Sequence, residues 1–192
     1  MATVEQVYEL IDRTCDIINR LFDMVGLNDD SEPAVRFELG KFMMYLSASD
    51  GTISAEEAEV IAKISHLDVT PTNIGECIRE HNIYSTEFEQ TVPTVFKILI
   101  NVDNGLIKKG IDISGSDILL SAYKAVGELA IKADGEVNEN EKNDYSIFIG
   151  MLERYRNENY DGAKNLTSGF TKNKGNSVEA PFKNGVAAPK KG

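Results

Sequence analysis

One short segment occurs twice in the chain, and the interval between its copies limits the fold more than any other feature. Ser47-Ala48-Ser49-Asp50-Gly51-Thr52-Ile53-Ser54-Ala55-Glu56-Glu57 returns 84 residues later as Ile131-Lys132-Ala133-Asp134-Gly135-Glu136-Val137-Asn138-Glu139-Asn140-Glu141. Each copy follows an apolar helical run and opens another. A repeat at this spacing in 192 residues predicts two related helix-turn-helix halves inside one domain.

Each position of the repeat has a physical reason. Gly accepts positive φ without steric cost, and Asp bonds its own backbone two residues on, so Asp-Gly is a turn dipeptide. Ser54 is then a good N-cap with Glu57 three residues later, the pattern of a capping box; Asn138 and Glu141 repeat it. On this reading the four acidic residues stop one helix and start the next. A second reading is a cation site. Acidic residue, Gly, apolar residue and Glu six positions after Gly overlay the second half of an EF-hand loop. The first half is missing, because its ligand positions hold Leu46 and Ala48 in one copy and Ala130 and Lys132 in the other. Neither loop wraps an ion alone. Asp50, Glu57, Asp134 and Glu141 brought together by the two halves would do so, with Glu56 as a helper, since clustered like charges are costly until a cation neutralises them. Carboxylates select hard ions, which points to calcium or magnesium over zinc.

The two segments and their apolar flanks resemble the TerB-like domain of tellurite-resistance proteins. The resemblance covers about residues 36–65 and 119–153 and is only topological between them. It implies an all-helical fold, metal binding through the acidic residues and a role in a stress response. Asn138 and Asn140 stand where that family has a denser acidic run, so fewer charges line the second turn.

Charge is unevenly shared. The net charge is −11, yet residues 161–192 hold six lysines against Asp161 and Glu179, which leaves −15 on residues 1–160. So acidic a body repels nucleic acid and anionic membranes and attracts cations or basic partners. No apolar run is long enough to span a membrane. Met1-Ala2-Thr3-Val4-Glu5 carries no basic or apolar signal region, so a cytoplasmic setting is expected. Cys15 and Cys77 have no metal or redox spacing and are expected as buried thiols.

Helical periodicity dominates elsewhere and predicts an all-α single domain of about seven helices. Val4, Val7, Ile11, Cys15, Ile18, Phe22 and Val25 recur at steps of three and four, one stripe on a helix ending at Gly26. Residues 33–158 form the repeat-bearing core. In it, Val35 to Leu46 are apolar on most sides, Thr70-Pro71 opens a short helix to about Glu80, and a helix from Phe88 bends or restarts at Pro93. Asn104-Gly105, Gly110 and Gly115 read as a loop, followed by the helices entering and leaving the second motif. From Tyr160 onward periodicity stops, and residues 161–192 read as a disordered basic tail in which Val178-Glu179-Ala180-Pro181-Phe182 is the one docking-like segment.

Catalysis finds little support. His66 and His81 belong to no zinc motif, no nucleophile elbow is present, and Gly110 to Asp117 has glycines of a phosphate loop without its Lys. A non-enzyme is expected. Two functions remain: a cation-binding acidic domain of the TerB-like kind, or a metal-independent adaptor recruiting a protein partner through its acidic body or tail.

Overall fold

The computed structural model describes residues 2–49, 53–83, 90–133 and 138–162. Among these there are seven helices and no strand: α1 Val4–Val25, α2 Glu32–Ser47, α3 Ala55–Ser65, α4 Ile74–Glu80, α5 Thr94–Lys108, α6 Gly115–Ala130 and α7 Glu139–Asn159. The all-α expectation holds, and so does the periodicity that led to it. On α1, Val7, Ile11, Cys15, Ile18 and Phe22 are buried, a Thr3/Gln6 capping box starts the helix, and Gly26 ends it at φ 82°. α2 buries residues on nearly every side, from Val35 through Leu39, Phe42, Met43 and Met44 to Leu46.

Side-chain contacts fix the direction of each helix. Asn19 accepts from Ser31, and Asp12 pairs with Arg36, so α1 and α2 are antiparallel. Leu21 packs on Gly115, whereas Ala2 and Val7 share a cleft with Leu129 and Lys132, so α1 and α6 are antiparallel as well. It follows that α2 and α6 run parallel. Their own contacts agree, with Tyr123 beside Glu38 and Gly127 one turn further on beside Phe42. α3 returns along α2, with its Ile64 carbonyl accepting from Arg36 at 2.9 Å. α7 returns along α6 through Lys124–Glu153 at 2.7 Å and Arg156–Asp117 at 2.6 Å.

The 84-residue interval is visible in the core. Val35, Leu39, Phe42, Met43, Leu46, Glu57 and Ile64 are buried, and so are Leu119, Tyr123, Val126, Gly127, Ala130, Glu141 and Phe148 at the matching positions. Packing repeats too: α2 meets α7 as α3 meets α6. Phe42, Tyr123 and Phe148 close the seam between the halves, the two phenylalanines stacked with centroids 4.3 Å apart. Two glycines permit the close approach inside each pair. A Cβ on Gly40 would lie 2.4 Å from Ser65 Cβ, and one on Gly127 would lie 2.5 Å from the Tyr145 ring.

The structure corrects three local readings. Pro71 is not in the first turn of α4: Thr70 and Asn73 exchange side-chain bonds to form a turn, and the helix starts at Ile74. Asn104-Gly105 does not break the chain, because α5 runs through both to Lys108. Cys15 is buried as expected, but Cys77 is only half-buried. α5 starts directly after Pro93, as read, while Phe88 and the tail beyond Gly162 lie outside the described residues.

Candidate cation site at the paired helix turns

Because α2 and α6 are parallel, their C-terminal ends and the starts of α3 and α7 lie at the same end of the bundle. There Ser54 begins α3 with a complete capping box: its hydroxyl accepts from the Glu57 amide at 3.1 Å, and Glu57 Oε2 accepts from the Ser54 amide at 2.7 Å. Asn138 begins α7 with the same box, Glu141 Oε2 accepting from the Asn138 amide at 3.4 Å. Each Glu is 4% exposed, an unusual depth for a carboxylate. Glu56 is exposed on the first turn of α3. Asp50 and Asp134 lie outside the described residues, so the structure gives the positions of the glutamates and not of their aspartate partners.

Where α2 runs into the first turn, the buried hydroxyls of Ser47 and Ser49 have no hydrogen-bond partner among the described residues. A buried polar group without a partner is costly, by roughly 1–3 kcal/mol, and invites a water or an ion. Hydroxyl and carboxylate oxygens form the donor set of a hard cation. Among the described residues no three His, Cys, Asp or Glu side chains converge to hold a metal.

Sequence reasoning missed two polar clusters. Arg36 is buried between α1, α2 and α3, bonded to Asp12, to Glu32 at 2.6 Å and to the Ile64 carbonyl, with its guanidinium over the Tyr8 ring. Tyr8 in turn shares a 3.1 Å hydrogen bond with His66, which ends α3 at φ 56°. The signal was a lone Arg in an apolar helix four residues after a Glu. Asp103 is fully buried on α5 and accepts from the Gly115 amide at 2.7 Å and the Ser116 amide at 2.9 Å. Its carboxylate thus fills the helix N-terminus where a phosphate would have to sit, in agreement with the rejection of a phosphate loop.

Burial pushes the Cys15 thiol up to about 12, against the pull of nearby Arg36, which makes it a poor nucleophile. Burial also raises Tyr123, whose hydroxyl lies beside Glu38 but outside hydrogen-bonding geometry. The fold and turns define an all-helical bundle of two matched halves with acidic residues at equivalent helix starts. No family model, no curated protein and no solved structure matches the chain.

Proposed function

We propose that this chain is an acidic helical domain of the TerB-like kind that takes a divalent cation at its paired Asp-Gly turns and serves a stress response. One observation supports the reading: equivalent helices α2 and α6 run parallel, so the starts of α3 and α7, each with a buried Glu, share one end of the bundle. Calcium or magnesium fits the oxygen donors better than zinc does. Incomplete loops give an affinity no tighter than ~10⁻⁵ M. At a hundredfold excess over such a constant, the ion stabilises the fold by about 2.7 kcal/mol. The test is a melting titration with calcium and with magnesium on the parent and on the Asp50→Asn, Asp134→Asn double variant. The parent gains several degrees. The variant keeps both turns, since Asn still turns and caps, and gains nothing.

A second reading has its own support. Glu57 and Glu141 already serve as caps, so the carboxylates have a use without metal, and the domain then acts as an adaptor for a protein partner. An equal response to calcium in parent and variant, or partner binding that survives chelation, decides for this reading.

A further inference from the structure

At the end of the bundle opposite the Asp-Gly turns, Met24, Leu27 and Ile113 are 44%, 40% and 42% exposed. The end of α1 that carries Met24 and Leu27 meets the loop between α5 and α6 that carries Ile113. Lys109 Nζ donates to the Met24 carbonyl at 3.4 Å, and Gly115, two residues beyond Ile113, packs on Leu21. Lys109 makes no ion pair among the described residues and stands as a cation within this apolar rim.

The described chain ends beside the same surface. The Asn104 side chain donates to the Asn159 carbonyl and accepts from the Asp161 amide, both at 2.8 Å. Tyr160 is buried near Asp103 and Ser114, the residues that hold the start of α6. The last described residues, Tyr160 to Gly162, therefore lie next to the α5–α6 loop, and residues 163–192 follow them in sequence outside the described residues.

Within those residues one segment matches the surface in chemistry. Val178-Glu179-Ala180-Pro181-Phe182 places two apolar side chains around Glu179, the only acidic residue after Asp161. Phe170 has Lys172 and Lys174 beside it and no acidic residue, whereas Phe182, although followed by Lys183, has Glu179 three residues before it. From Gly162 to Val178 is 16 residues. Such a link reaches up to ~55 Å, longer than the ~33 Å of a 22-residue helix such as α1. A short tether also holds its end at an effective concentration on the order of millimolar, so even a weak contact is populated.

We infer that Val178–Phe182 docks in cis on the Met24/Leu27/Ile113 surface, with Phe182 as its anchor and Glu179 paired to Lys109. The inference is independent of the cation reading, because the surface and the turns occupy opposite ends.

The test uses the full chain with labelled Met and Ile methyl groups. Phe182→Ala lowers occupancy roughly tenfold or more and moves the Met24 and Ile113 signals, while exposed Ile147 on α7 stays in place. Glu179→Lys moves the same two signals part of the way, with an about two- to fivefold loss. Combining it with Lys109→Glu restores them. Tenfold dilution leaves the parent spectrum unchanged. The inference is overturned if Met24 and Ile113 ignore Phe182→Ala, if Phe170→Ala moves them instead, if the charge swap restores nothing, or if the signals follow dilution, which would make a second copy the occupant.

Discussion

Glu38 shows how a single side chain ties two elements together at some cost. Its carboxylate accepts from the amides of Thr94 at 2.8 Å and Val95 at 3.2 Å and so caps α5 from α2. Burial raises its pKa, against the pull of those amides and of Lys41 and Lys97. A carboxyl raised in the fold contributes stability that is full below its unfolded value and is lost as pH rises through the folded one. Glu38→Gln keeps an acceptor and removes the buried charge. The variant should therefore be more stable than the parent at pH 7, the gap closing below about pH 4, where the parent is protonated too. Urea titrations at both pH values measure this. Glu38→Ala instead loses the cap, at about 1 kcal/mol.

At the level of helices, periodicity was a good guide and isolated polar or glycine residues were not. The α1 stripe and the capping boxes of α3 and α7 were legible because local spacing alone defines them. Asn104-Gly105 read as a break, since local preference cannot see that Asn104 holds the end of α7 across 55 residues. Asp103 and Arg36 were missed for the same reason: their partners come from other helices. Of the candidate site, the repeat gave Glu57 and Glu141 as helix-start residues, but their depth of burial depends on packing that no spacing encodes. Two substitutions probe these packings. Asp103→Asn should cost about 2–4 kcal/mol, because an amide cannot accept at both ends from Gly115 and Ser116. Gly127→Ala should cost about 1–3 kcal/mol by driving a methyl into Tyr145 and rigid Phe42, and Tyr145→Ala in that background should return part of it. Thermal and urea melts read both.

For the whole molecule, the last described residues are tied to the helical body. Tyr160 packs under the Arg156 guanidinium, 4.5 Å from ring centre to carbon, and Asp161 is bonded to Asn104. A chain stopped after Asn159 should melt well below one stopped after Gly162. Burying one aromatic is worth about 2 kcal/mol, roughly 4–8 °C for a domain of this size. Equal melting of the two would mean that Tyr160 contributes nothing to the body.

The shared direction of α2 and α6 also has a practical side. Ala2 lines a cleft with Lys132 at the mouth of the second turn, whereas Gly162 sits at the far end beside the α5–α6 loop. A fluorophore or affinity tag joined ahead of Ala2 will crowd the turns and any ion there, and one joined past Gly162 will not. A donor and acceptor placed at these two points should report a separation of about one long helix, ~30 Å. The same geometry lets the molecule be tethered to a surface by its C-terminal side with the acidic turns presented outward.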